Sequence, residues 1–193
     1  MADTVSPRAQ AAGAANTFCF DPVKGISADN TDGIGLIRDV TRNIGISLSG
    51  KRILICGAGG AVRGILGPLL NTAPSEIVIA NRTLHQDFVM EIHAYETLAH
   101  QTFDVVIDGT SLKTEPPPLP ASLTLSKDAL VYDLKYSPGT PTPIMQWAKT
   151  KGAKHIHDGI GMLVEQAAEA FYFWTGKRPH TAPVLAALKA TTS

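Results

Sequence analysis

Residues 51–83 constrain the fold more than any other part of the chain. Lys51-Arg52-Ile53-Leu54-Ile55-Cys56 ends in four apolar residues, the pattern of a strand buried on both faces. It runs straight into Gly57-Ala58-Gly59-Gly60, after which Ala61–Leu70 carries apolar residues at helical spacing. The next apolar run, Glu76–Ala80, ends in Asn81-Arg82-Thr83. Strand, glycine turn, helix, strand is a βαβ unit, and chains built of such units make a parallel sheet.

The glycine turn carries specific chemistry. A glycine directly after the strand permits the tight turn, and a second one lets a pyrophosphate approach the backbone. The helix that follows aims its N-terminal N–H groups and positive dipole end at the phosphates. Gly57, Ala58, Gly59, Gly60 and Ala61 are therefore the candidate dinucleotide contacts. The strict GxGxxG spacing would need Gly or Ala at position 62, where Val62 stands instead. Small residues at 61 and 64 are expected to give the helix its close packing. A site for NAD puts an acidic residue at the tip of the second strand, to accept the ribose 2′-hydroxyl. Here that tip is Asn81-Arg82-Thr83, with no carboxylate. A guanidinium and a hydroxyl suit a 2′-phosphate, so the cofactor read from this tip is NADP.

Further strands are expected at Phe103–Asp108, Ala129–Leu134 and Lys154–His157, and further helices at Pro141–Lys151, Met162–Thr175 and Thr181–Ala190. Residues 1–30 read as mixed and Ala-rich, with a helix ending near Gly13. Asp29-Asn30-Thr31-Asp32-Gly33 reads as a loop feeding a helix, with Thr31 or Asp32 as N-cap and a stop near Gly45. The fold class is α/β, a Rossmann-like doubly wound parallel sheet with helices on both faces. The expected organisation is a substrate-domain remnant and linker over 1–33, an NADP-binding Rossmann domain over 34–160, and C-terminal helices over 161–193 that pack back toward the substrate domain.

Composition excludes several classes of function. With 44% hydrophobic and 18% charged residues the chain can fill a core, so disorder is not expected. Seventeen basic residues balance seventeen acidic ones, so no global field draws nucleic acid or an anionic membrane surface. No run of about 18 apolar residues occurs, so no membrane span is expected. Met1–Gln10 carries charge without an apolar stretch and does not read as a signal peptide. Cys19 and Cys56 lie apart and read as free thiols of a cytoplasmic protein. The six histidines are scattered and no metal site is expected; His155 and His157 alternate as on a strand but lack a third ligand.

Four stretches together resemble shikimate dehydrogenase over nearly the whole chain. They are Gly13-Ala14-Ala15-Asn16-Thr17, Asp29-Asn30-Thr31-Asp32-Gly33, the Gly57–Ala61 turn with Asn81-Arg82-Thr83, and Asp158-Gly159-Ile160-Gly161-Met162-Leu163-Val164-Glu165-Gln166-Ala167-Ala168. The resemblance implies reduction of 3-dehydroshikimate to shikimate with NADPH, in aromatic amino-acid biosynthesis. It implies that Asn16 and Asp32 bind ring hydroxyls, with Asp32 also pairing with the family's catalytic lysine. Tyr136 and Gln166 would be further substrate contacts, while Leu134 and Gly159 would lie near the nicotinamide. The family carries a substrate domain ahead of the position of Met1, with that lysine and a pair of serines, so the chain is expected to be incomplete. An isolated piece would expose apolar surface, so self-association as a homodimer is expected. Three departures accompany the likeness. The stretch from Thr83 to Phe103 is short, Gln86 stands where many relatives have a second basic residue, and Asp108-Gly109-Thr110-Ser111 replaces a more usual Asn-containing turn. Two other readings stand beside it: a non-catalytic NADP-binding module, and a quinate/shikimate-type dehydrogenase.

Overall fold

The computed structural model of the chain describes residues 2–84 and 88–191. In chain order these form β1 (Thr4–Val5), α1 (Pro7–Ala12), β2 (Thr17–Asp21), β3 (Gly25–Asp29) and α2 (Asp32–Arg38), the last continuing as a π-helical turn over Asp39–Asn43. Then come β4 (Arg52–Cys56), α3 (Gly60–Leu70), β5 (Glu76–Ala80), β6 (Ile92–His93), a 3-10 turn (Tyr95–Leu98), β7 (Thr102–Asp108) and β8 (Thr124–Asp133). The chain finishes with α4 (Pro143–Thr150), β9 (His155–His157), α5 (Ile160–Thr175) and α6 (Ala182–Thr191). Contacts divide it into two compact units. Met1–Ser47, Arg63–Thr72 and Ile160–Ser193 form the first, and Leu48–Val62 with Ala73–Gly159 form the second.

The second unit is a six-stranded sheet in the order β6-β5-β4-β7-β8-β9, every neighbouring pair parallel. Counted from β4 as the first strand, this is the order 3-2-1-4-5-6 of doubly wound dinucleotide-binding sheets, with its switch point between β4 and β7. Leu54, Cys56, Val78, Val106 and Val131 form one core with Tyr95 and Leu98 of the 3-10 turn and with Ile144 and Ala148 of α4. The alternate set, Ile53, Ile55, Ile79 and Ile107, is equally inaccessible. Both faces of these strands are therefore covered, as their continuous apolar runs require. α4 begins with proline in its first turn, where the missing N–H costs nothing.

The first unit holds what residues 1–30 conceal. Besides the expected helix, capped by Ser6 at its start and by Gly13 in the left-handed conformation at its end, β2 and β3 form an antiparallel hairpin with β1 parallel to β3. Ala9 and Ala12 of α1, Leu36 and Val40 of the α2 segment, and Ile65, Leu66 and Leu69 of α3 are buried. α2 and α5 pack backbone to backbone: a Cβ on Gly35 would lie 2.7 Å from Gln166 Cβ, so only glycine lets the helices approach this closely. Glu169 of α5 is buried and holds Arg8, Arg38 and Arg178 together, while Arg8 also pairs with the buried Asp29. Among the described residues no helix is long and apolar enough to cross a membrane.

Candidate functional site

In the second unit the loops at the C-terminal ends of β4, β5 and β7 meet in a cleft of about 220 Å³, lined by Gly57, Ala58, Gly59, Asn81, Arg82, Tyr95 and residues 109–112. This is the switch point, where open α/β sheets bind their ligands. Gly57 has φ +102°, a conformation that side chains avoid, and a Cβ there would lie 2.9 Å from Gly109 O. Its N–H donates to Ala80 O at 2.8 Å, and Gly109 N–H donates to Cys56 O at 2.8 Å, which fixes both loops to the strand ends. A Cβ on Gly59 or Gly60 would meet nothing within 4 Å, so that side of the turn is open for a phosphate to rest against amides. Gly60 and Ala61 form the first turn of α3, and both are exposed. Asn81 Nδ2 donates to Thr83 O at 3.0 Å, shaping the tip that presents the exposed Arg82 and Thr83. The cradle thus fits a pyrophosphate, and the tip offers a cation with no carboxylate. Gln86 lies outside the described residues.

The departure at Val62 has a structural answer. Its side chain is wholly buried, and a Cβ on Gly109 would come within 2.5 Å of its Cγ2. The small residue that usually lets the helix approach has moved across the sheet, from position 62 to position 109. Leu134 and Gly159 also meet: a Cβ on Gly159 would lie 2.3 Å from Leu134 O, and Gly159 N–H donates to Lys135 O at 2.9 Å. Tyr136 follows β8 in a loop and is half-buried.

In the first unit, Asn16, Asp32 and Gln166 are joined through Thr31. Asn16 Nδ2 donates to Asp32 Oδ1 at 2.7 Å, and Asn16 Oδ1 accepts from Thr31 N at 3.0 Å. The Thr31 hydroxyl lies 3.2 Å from Gln166 Oε1 and 3.3 Å from Asn16 Oδ1. Gln166 Nε2 donates to Leu163 O at 3.2 Å. Thr31 occupies the N-cap position of α2 but makes no side-chain capping bond, and Asp32 is the first helical residue. Neither side chain is committed to the helix end, so both serve the cluster. Burial raises the Asp32 pKa, and the Asn16 amide opposes it. Asp32 Oδ2 sits over Gly64, where a Cβ would be 3.1 Å away, and accepts no hydrogen bond from the described residues. It is an open acceptor.

Sequence reasoning missed Tyr95, residues 110–112 and Lys135, all at or beside the cleft. Tyr95 is 3% exposed, yet it lines the cleft, and burial pushes its phenol well above the ordinary range, so it stays a donor. No motif marks such a residue, because it enters from a short 3-10 turn. Among the described residues no group of three or more His, Cys, Asp and Glu side chains could hold a metal.

The model of the Shikimate 5′-dehydrogenase C-terminal domain family matches residues 159–189. The shikimate dehydrogenase (NADP(+)) of Methylobacillus flagellatus is 48% identical, over 98% of this chain and 74% of that protein. That of Halorhodospira halophila is 49% identical, over 98% and 73%. Among solved structures, an Ael1 enzyme from Pseudomonas putida superimposes with TM-score 0.85 at 44% identity, covering 97% of this chain and 72% of that one. Shikimate 5-dehydrogenase from Thermus thermophilus in complex with NADP(H) and shikimate superimposes with TM-score 0.80 at 30% identity, over 98% and 73%. Likeness of this order, over almost every residue, settles the kinship: the chain belongs to the shikimate dehydrogenase family.

Proposed function

We propose that this chain serves the NADP-dependent interconversion of 3-dehydroshikimate and shikimate, with the dinucleotide in the cleft at the ends of β4, β5 and β7. The observation that carries this is the coincidence on one cleft of an open glycine cradle and a cationic, carboxylate-free tip, Gly57–Gly59 and Arg82. The amides of Gly59, Gly60 and Ala61 hold the pyrophosphate, and Arg82 with Thr83 and Asn81 holds the 2′-phosphate. Leu134 and Gly159 bound the nicotinamide. Bound NADPH supplies the hydride that reduces the ketone.

Asn16, Asp32 and Gln166 bind the ring hydroxyls, and Tyr136 adds a further substrate contact. A carboxylate and two amides of fixed orientation suit a polyol, because a site that pairs hydroxyls rejects analogues lacking them. The open oxygen of Asp32 either accepts a ring hydroxyl or pairs with the cation that protonates the developing alkoxide. Free Cys19 and Cys56 fit a reducing cytoplasm. The exposed Phe18, Phe20 and Val23 provide a surface for self-association as a homodimer, which light scattering tests.

Calorimetric titration of the wild type and Arg82→Ala with NADP and NAD tests the cofactor reading. Losing a charge-assisted pair to phosphate should weaken NADP by about ten- to a hundredfold and leave NAD unaltered. Equal affinity of the wild type for both nucleotides refutes it. NADP reduction by shikimate and by quinate at matched concentration decides the substrate.

A further inference from the structure

Lys135 stands between two residues assigned to the site, yet nothing in the proposed chemistry uses it. Its ammonium has three N–H donors and finds three acceptors: Asp108 Oδ2 at 3.2 Å, Thr110 O at 3.3 Å and Leu112 O at 2.9 Å. Asp133 Oδ1 lies 3.7 Å away and also accepts from Lys135 N at 2.9 Å. Asp108 and Asp133 are register partners at the ends of β7 and β8, and both are essentially inaccessible. Two carboxylates side by side in a sheet require a counter-charge, and among the described residues Lys135 is the cation that reaches both. The Lys135 carbonyl meanwhile accepts from Gly159 N–H at 2.9 Å. One residue thus ties the loop after β7 to the loop after β8 and to the turn before α5. Residues 110–112 of the first loop line the cleft.

We propose that Lys135 is a positioning residue of the cofactor site: its ammonium clamps the 108–112 loop against the cleft and supplies the charge that lets Asp108 stand at the end of β7. A turn with a neutral residue at 108 would need no such clamp, so the two side chains form one unit. The functional side of this inference rests on the cleft's being the NADP site; the clamp itself does not.

Three variants test it: Lys135→Met, Asp108→Asn, and both together. Amide hydrogen exchange at residues 109–112 without any nucleotide reads the clamp directly. Protection there should fall in Lys135→Met, and unchanged protection overturns the proposal whatever binds in the cleft. Calorimetry with NADP reads the consequence. Lys135→Met should weaken NADP by about tenfold or more, since small misplacements of binding groups have effects of that size. The double variant should bind NADP about threefold or more tightly than Lys135→Met, because it removes one of the two carboxylates left without their counter-charge; no recovery overturns the pairing. Should Lys135→Met fail to fold, the double variant carries the test, and a double variant that neither folds nor binds NADP overturns the pairing. No heat from NADP with the wild type would instead overturn the cofactor reading, leaving hydrogen exchange to judge the clamp.

Discussion

Gly109→Ala tests how the cleft replaces its missing small residue. The new methyl would sit 2.5 Å from Val62 Cγ2 and 3.2 Å from Leu134 Cδ1. Carbon atoms rest about 3.5–4.0 Å apart, so Val62 must retreat by about 1 Å. It cannot do so by rotation, because a β-branched side chain in a helix has one strongly preferred χ1. The first turn of α3 must move instead, and with it the phosphate cradle. Overpacking of this kind costs about 1–3 kcal/mol; at about 2 kcal/mol the Tm of a chain this long falls by about 4–8 °C. Val62→Ala alone removes two buried carbons and leaves a cavity, also about 2 kcal/mol. Combined, the new methyl fills the space the old ones vacated. The double variant should then lose about 1–2 kcal/mol rather than the additive ~4 kcal/mol, a coupling of at least about 2 kcal/mol. Urea unfolding of the four proteins measures this, and NADP affinity should follow the same pattern. Additivity within about 0.5 kcal/mol would refute the complementarity of positions 62 and 109.

Two further outcomes are expected. Burial alone would raise the Glu169 pKa, but Arg178, Arg38 and Arg8 outweigh it and hold it at about 2. A folded pKa below the ordinary 4.5 means that the charge stabilises the fold above that value, and that this contribution fades as pH falls from 4.5 toward 2. Glu169→Gln should therefore cost about 2 kcal/mol at pH 7 and flatten the acid limb, read by urea unfolding at several pH values; the partly hydrated guanidiniums keep the cost below that of a fully buried pair. Asp32 has the opposite sign: burial raises its folded pKa, so the ionised form opposes folding above its ordinary value of 3.8. Asp32→Asn should match or exceed wild-type stability at pH 7 while weakening shikimate by about tenfold. Loss of stability in thermal melts, or unaltered shikimate affinity in titrations, would count against a substrate role for Asp32.

The β4–α3–β5 unit was legible because its apolar runs, glycine turn and strand tip are contiguous and follow one period each. The β2–β3 hairpin was not, for a specific reason. On β2 the inward positions are Thr17, Cys19 and Asp21, while Phe18 and Phe20 face outward at 44% and 74% exposure. The apolar alternation marks the wrong face, so it does not read as a core-facing strand. The first half of β8 is polar and half-exposed, which hid Thr124–Lys127 and left only Ala129–Leu134 visible. Between Thr83 and Phe103 the short span holds a two-residue strand and a 3-10 turn, too little for periodicity to show. At the candidate site, Asn16, Asp32 and Gln166 entered through resemblance, and their meeting through Thr31 emerges only in three dimensions. Lys135 was invisible because a lysine after a strand reads as solvated surface, and its partners come from a loop 23–27 residues away.

The first unit is assembled from three separated pieces of chain, and this sets an order of events at the ribosome. Every strand of the parallel sheet has been made by residue 157, so that layer can close while synthesis continues. Residues 2–47 cannot. Gly35 has no α5 to lie against, and Arg8 and Arg38 have no Glu169, until residues 160–175 have been made. Residues 2–47 must therefore wait, accessible to chaperones, until α5 has been translated.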